Sequence, residues 1–333
     1  MRAVRLWGRR DLRVADEDLP RPAAGEELVR VTAVGICGSD IHWFEEGGIG
    51  GTTVSRPLVP GHEFAGETAD GRRVAADPAI ACGQCESCGR GHPNLCERVR
   101  FAGHDVDGAL REWMPWPRQN LHALPESLSA ADGAMLEPLG VALHACRLAR
   151  IAPGDCVGVF GCGPIGWLTI QVAGLLGAST VIATELPTRP FRLAAGAAKG
   201  ATMVPADGRE ALEIARLTGG RGLDVAIEMA GDNLAVDAAV EAVRPGARNV
   251  LAGIPTGERT SVSASGARRK GLTLAWARRM KDTYQEAIDL VACGLVDVRS
   301  GVTETFALGQ AAAAFDAAVL REHMKVMIAP AAD

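Results

Sequence analysis

Read from the N-terminus, the first third of the chain sets short, apolar-rich segments between polar and turn-forming positions. "ELVRVTAVGI", "GHEFAGETA", "RRVAADPAI" and "ALREWMPWP" carry this pattern between Gly and Pro residues, which predicts short strands joined by turns up to about Pro125. No long helical period interrupts them. In "LPESLSAADGAMLEPLGVALHACRLARI" apolar residues recur every three or four positions, and Ser129 stands where an N-cap belongs, so a helix is expected. From Asp155 the rhythm changes again. "DCVGVFG", "TVIATE", "ATMVPA", "LDVAIEMAG", "RNVLAGI" and "LTLAWA" read as nearly continuous apolar strands. The helical segments "PIGWLTIQVAGLLG", "RLAAGAAKG", "REALEIARLTG", "LAVDAAVEAVR" and "TYQEAIDLVACG" complete the series. Apolar strands alternating with helices build a parallel sheet covered on both faces. The tail "VTETFALGQAAAAFDAAVLREHMKVMIAP" reads strand, helix, strand and is expected to return to the first domain.

The expected fold class is therefore α/β: a mostly-β domain over 1–127, a doubly wound parallel sheet over 128–296, and a return segment over 297–333. There is no internal repeat, and the alanine-rich patches suit helix. A length of 333 residues agrees with two domains, and 47% hydrophobic with 23% charged residues is ordinary for a globular chain. The net charge of -5 and pI of 5.9 provide no electrostatic footprint for nucleic acid or an anionic membrane. No apolar run reaches the roughly 20 residues that span a bilayer. The start, "MRAVRLWGRRDLRV", is broken by arginines and lacks the apolar core of a secretory signal. A cytoplasmic location is expected.

That compartment changes how the nine cysteines are read, because thiols in a reducing cytosol seldom pair. "CGQCESCGRGHPNLC" sets Cys82, Cys85, Cys88 and Cys96 at C-x2-C-x2-C-x7-C on a turning, glycine-rich backbone. The spacing predicts a closed, four-thiolate structural zinc in a lobe near 80–98; the alternative is a set of buried free thiols. In "VGVFGCGPIG", Gly161, Gly163 and Gly166 form G-x-G-x-x-G, with Pro164 and Ile165 between the last two, where a predicted strand passes into a helix. This context suits a dinucleotide pyrophosphate on a helix N-terminus; a glycine-rich turn of another α/β protein is the alternative. Glu185 ends the next strand, nineteen residues beyond Gly166. A carboxylate there bonds a ribose 2′-hydroxyl and repels a 2′-phosphate, which favours NAD over NADP. Arg189 and Arg192 follow it and soften that preference unless they lie on a solvated helix face.

Earlier, "GICGSDIH" offers Cys37, Ser39, Asp40 and His42, and "PGHEFAG" offers His62 and Glu63. Cys37 and His62 suit zinc, and Glu63 or a later carboxylate completes three protein positions; "MLEPLGVALHA" supplies Glu137. Taken singly, a cysteine is core filling and a histidine a bonded structural residue.

Together these segments, in this order, resemble the zinc-containing medium-chain alcohol dehydrogenases, and among them the sorbitol (polyol) dehydrogenase group. The resemblance covers almost the whole chain and implies a GroES-like catalytic domain with an inserted Rossmann domain, two zinc ions, a nicotinamide cofactor, and a homo-dimer or homo-tetramer. It carries the catalytic zinc ligands to Cys37, His62 and Glu63, and it makes Glu137 the carboxylate that contacts zinc-bound water or joins the metal. Ser39 takes the substrate proton, His42 passes it towards solvent, and Asp40 orients a ligand. Cys82, Cys85, Cys88 and Cys96 hold the structural zinc.

Substrate positions depart from the polyol pattern. Arg279 matches an arginine near the substrate, but Met280 and Trp43 replace tyrosines, and His104 and Asp105 replace a Thr-Pro-Pro-like run. Cys146, Cys156, Cys162 and Cys293 read as filling. The expected activity is hydride transfer between NAD and a secondary alcohol of a polyol, sugar acid or cyclitol-like compound. The alternatives are an L-threonine 3-dehydrogenase-like enzyme and, more remotely, a non-catalytic nucleotide-binding protein.

Overall fold

The computed structural model describes residues 1–49, 51–53 and 55–331. The chain forms two compact units, one built from Met1–Pro138 with the segment from Lys281 on, the other from Leu139–Met280.

In the first unit a seven-stranded sheet runs in the order Leu121–Ala123, Arg73–Ala76, Glu63–Thr68, Glu26–Gly35, Lys325–Ala329, Val302–Ala307, with Trp113–Pro117 also pairing with Glu26–Gly35. All pairings are antiparallel except the last two strands of the path, which run parallel. The tail therefore supplies a central strand, Lys325–Ala329, against Glu26–Gly35. Strand residues Val31, Phe64, Met114 and Ile328, with Phe315 from the helix Ala311–Leu320, fill one core. Side chains of this size each gain roughly 1.5–3 kcal/mol on burial.

The second unit is a six-stranded parallel sheet in the order Thr202–Pro205, Thr180–Glu185, Cys156–Phe160, Leu223–Glu228, Val243–Leu251, Thr273–Trp276. This is the 3-2-1-4-5-6 order of a dinucleotide-binding fold, which reverses beside Cys156–Phe160. Every residue of Cys156–Phe160 and of Leu223–Glu228 is buried; the first is apolar throughout, and the second carries its only charged residues, Asp224 and Glu228, near its two ends.

The unit boundaries lie at 138/139 and 280/281, not at the expected 127/128 and 296/297. Ser129 does cap a helix, accepting from the Asp132 amide at 3.1 Å, but that helix, Ala130–Ala134, packs on the first unit's strands. Arg299 holds Asp132 there at 2.9 Å. The helix Tyr284–Ala292, expected to close the βα series, belongs to the first unit as well. Its Tyr284 hydroxyl donates to the Ala76 carbonyl at 2.6 Å, and its ring stacks on His122 with centroids 4.5 Å apart. Helical period alone carries no information about which sheet a helix packs on. No helix among the described residues is long and apolar enough to cross a membrane.

Candidate active site

The cysteine loop folds around its four sulfurs. Ligand atoms of Cys82, Cys85, Cys88 and Cys96 all lie within 4.8 Å of one another. Cys85 and Cys88 sulfurs are 3.5 Å apart, and Cys85 and Cys96 sulfurs 3.8 Å. A zinc–sulfur bond of about 2.3 Å requires a tetrahedral S···S edge of about 3.8 Å, so these four thiols fit the ion. The backbone prepares them: the Gln84 amide donates to Cys82 Sγ at 3.4 Å and draws that thiol down to about 6. Burial among the other sulfurs pushes Cys88 up to about 11.

A second set gathers where the strand Glu26–Gly35 passes into the helix Gly38–Glu46. Ligand atoms of Cys37, His62 and Glu63 lie within 4.8 Å of one another, with His62 and Glu63 buried. Thiolate, imidazole and carboxylate together make a donor set suited to zinc that leaves a fourth position open. Asp40, itself buried, ties the set together. Its carboxylate accepts from the Cys37 amide at 3.0 Å and the Gly61 amide at 3.2 Å, and it stands 3.6 Å from His62 Nδ1. Burial pushes the Asp40 carboxyl up, but His62 outweighs it and the group ends below its ordinary range. Burial likewise opposes the His62 imidazolium, and the charges of Asp40 and Cys37 overcome it. His62 Nε2 faces Ser39 Oγ at 3.4 Å. Further along the helix, His42 Nδ1 meets Glu46 Oε1 at 2.6 Å.

Glu63 is held by a residue that sequence reasoning passed over. Lys325 Nζ donates to both Glu63 oxygens, at 2.7 and 2.6 Å, and to the Ile36 carbonyl at 3.2 Å. The two side chains are 2% and 1% exposed. Burial disfavours the ammonium, and the Glu63 carboxylate more than restores it. Glycine at 35 is required here, because a Cβ would stand 2.1 Å from Glu63 Oε2. The one signal for Lys325 is a lone cation in the apolar run "KVMIA".

Glu137 opens the helix Leu136–Ala149, 5% exposed and outside the three-residue ligand set. Burial raises its carboxyl to about 7; Glu63 adds to the rise, while His62 and Lys325 oppose it. Trp43, expected in the substrate wall, is 3% exposed in the core, edge-on to His104 at 5.2 Å. His104 Nδ1 lies 3.0 Å from the Asp105 carboxylate, which also accepts from the Phe101 amide at 3.0 Å. In the second unit, Arg279 takes a left-handed backbone (φ 56) and Met280 is buried.

The glycine loop leaves Cys156–Phe160 and enters the helix Pro164–Leu175. Gly161 turns with φ 99, and a Cβ on Gly166 would stand 1.9 Å from the Gly161 carbonyl oxygen. Pro164 and Ile165 form the first helical turn. Glu185 ends its strand, accepting from the Leu186 amide at 2.8 Å and standing 3.7 Å from Arg192 Nη1. Arg192 is buried rather than on a solvated face, with Nη1 3.7 Å from where a Cβ on Gly163 would be. Cys146, Cys156 and Cys162 are buried, and Cys293 is exposed.

Comparison with known proteins agrees with both units. The profile described as "Alcohol dehydrogenase GroES-like domain" matches residues 23–126, and "Zinc-binding dehydrogenase" matches 164–293. Sorbitol dehydrogenase of Bacillus subtilis is 34% identical over 99% of this chain and 97% of its own. A probable D-xylulose reductase A of Aspergillus clavatus is 35% identical over 95% and 94%. The crystal structure of L-idonate 5-dehydrogenase from Escherichia coli superposes with a TM-score of 0.90 at 25% identity, covering 99% of this chain and 98% of that one.

Proposed function

The chain belongs to the zinc-containing medium-chain alcohol dehydrogenases, within their polyol dehydrogenase group, and on that premise we propose that it oxidises a secondary alcohol of a polyol, sugar acid or cyclitol-like compound to the ketone, with NAD accepting the hydride. The observation that carries this reading is the meeting of half-buried Cys37 with buried His62 and Glu63, their ligand atoms within 4.8 Å of one another. Those three residues would hold the catalytic zinc, and Cys82, Cys85, Cys88 and Cys96 the structural one. Bound there, zinc would supply Lewis acidity, which would strongly lower the pKa of a water or alcohol at the open position.

The chain's own residues do the rest. Asp40 on the Nδ1 side of His62 leaves Nε2 to the ion and fixes the ring. Ser39, beside that nitrogen, accepts the substrate's hydroxyl proton, and His42 carries it onward. Glu137, poised near neutrality by burial, exchanges a proton with substrate or solvent at the site. Lys325 bonds both Glu63 oxygens, so that the buried carboxylate has a cationic partner without metal. Gly161, Gly163, Pro164, Ile165 and Gly166 receive the pyrophosphate at a helix N-terminus. Glu185 bonds the adenosine ribose, and its charge favours NAD; Arg192 offsets part of that charge. Arg279 remains a proposed substrate residue, whereas Trp43, packed in the first unit's core, is withdrawn from that role. The working form is a homo-oligomer, dimer or tetramer, in the cytoplasm. The edge strand Thr273–Trp276, with Trp276 62% exposed, supports an assembled state.

A panel of polyols, sugar acids, cyclitols and amino alcohols, followed at 340 nm with each nicotinamide cofactor, tests the reading. Reduction of NAD by a polyhydroxylated alcohol is expected. Turnover of L-threonine alone would move the assignment to the amino-alcohol enzymes, and activity with NADP alone would overturn the role of Glu185.

A further inference from the structure

On the helix Gly38–Glu46 three polar residues share one face. Ser39 and His42 are three positions apart, and His42 and Glu46 four, so they form a stripe about 10 Å long. It starts at the buried ligand set, where Ser39 Oγ faces His62 Nε2, and it ends in solvent. The His42 side chain is 13% exposed and that of Glu46 40%. A carboxylate can only accept, so its 2.6 Å contact assigns the His42 proton to Nδ1 and leaves Nε2 as the ring's acceptor. Other charges near this helix are engaged elsewhere. Arg9 donates to the Glu45 carbonyl at 2.8 Å, and Arg10 pairs with the Glu45 carboxylate and stands 3.9 Å from Asp316 on the neighbouring helix Ala311–Leu320. His104 is occupied with Asp105. Among the described residues, His42 is the group that bonds the Glu46 carboxylate.

We propose that Glu46 is the outlet of the proton path, taking the proton from His42 Nδ1 and delivering it to bulk water. The inference rests on the dehydrogenase reading above. In alcohol oxidation the substrate O–H bond breaks and its proton goes to Ser39 Oγ, whose own proton leaves. That proton passes through a hydroxyl of bound ligand, or a water, to His42 Nε2. The His42 Nδ1–H bond then breaks as a Glu46 O–H bond forms, leaving a neutral imidazole and a carboxylic acid that loses its proton to solvent. No electrons move in these steps; the hydride leaves separately for the nicotinamide.

The test uses full-length protein with Glu46→Gln and Glu46→Asp. The wild type should show a downfield imidazole Nδ1–H resonance, without substrate, that E46Q lacks. In dilute buffer E46Q should lose about tenfold in kcat for alcohol oxidation at unchanged KM, a modest acid–base effect. Concentrated imidazole buffer should restore the rate by accepting the proton directly, and E46D should retain part of it unaided. A structural role for the pair predicts no buffer rescue. If E46Q loses the resonance yet keeps the wild-type rate at every buffer concentration, the outlet role is wrong. Failure of the dehydrogenase reading looks different: the wild type itself is then inactive on the whole alcohol panel.

Discussion

Replacing Lys325 by Met keeps most of the side-chain volume and removes one charge. The wild-type ammonium bonds both Glu63 oxygens, at 2.6 and 2.7 Å, with both groups nearly excluded from water. Deleting one member of such a pair costs about 3–5 kcal/mol, because the other charge is left buried without a partner. Here the orphan also sits near Glu137 and Cys37, and of its neighbours only the His62 imidazolium, favoured by Asp40 and Cys37, offsets part of its charge. At roughly 2–4 °C per kcal/mol for a unit of this size, metal-free K325M should melt on the order of 10 °C below metal-free wild type. Zinc reverses the sign of the argument: in K325M it meets a more negative site without a competing cation. It should therefore bind more tightly than in wild type and recover most of the lost stability. Thermal unfolding of chelator-treated and zinc-loaded protein, with chelator competition for affinity, measures both quantities. Because both proteins carry the same cysteine lobe, its contribution cancels in the comparison. E63Q/K325M should be closer to wild type than K325M alone, with a coupling of about 2–3 kcal/mol. A metal-free loss below about 1 kcal/mol, or weaker zinc binding in K325M, would refute the charge balance proposed for Glu63.

Four further outcomes are expected. Burial pushes the Asp224 carboxyl up, but Arg221 and Arg244, at 2.8 and 2.7 Å, outweigh it and hold the group at about 2. A depressed carboxylate stabilises the fold above its unfolded value of 3.8, and that stability is lost as pH falls towards 2. Asp224→Asn should thus cost about 1–2 kcal/mol at pH 7, after allowance for the solvated arginines, and almost nothing at pH 2 in urea titrations. Gly166→Ala forces a Cβ into the Gly161 carbonyl and should weaken NAD binding at least about tenfold by calorimetry, a loss of about 1.4 kcal/mol. Gly174→Ala, in the same helix with open space around its Cβ, should be neutral or stabilise by up to about 1 kcal/mol. Cys88→Ser should lower bound zinc from two ions to one per chain by metal analysis and destabilise the first unit by several kcal/mol.

What was legible in the sequence was local. The cysteine spacing, the glycine loop and Glu185 at its strand end lie within short segments, where backbone geometry follows from residue order. The central strands of the second unit were legible because burial on both faces leaves them mostly apolar, and the edge strands Thr202–Pro205 and Thr273–Trp276 were legible from the strand–helix alternation around them. The helix Gly38–Glu46 escaped because it is nine residues long, shorter than a hydrophobic stripe needs to show itself. Its capping by Asp40, three positions after Cys37, and its 39/42/46 spacing were the available signals. Lys325 escaped because its partner is 262 residues away, and no period connects them. The unit boundaries moved for the same reason: the contact that assigns the helix Tyr284–Ala292 to the first unit, Tyr284 to Ala76, spans 208 residues.

The central claim is a cation gripped by Cys37, His62 and Glu63, and anomalous diffraction at the zinc edge from crystals of zinc-loaded protein tests it most directly. Two peaks per chain are predicted, one among the four cysteines of the lobe and one about 2.3 Å from Cys37 Sγ and about 2.0–2.1 Å from His62 Nε2. A single peak in the lobe, with Cys37 and His62 side chains turned apart, would contradict the mechanism.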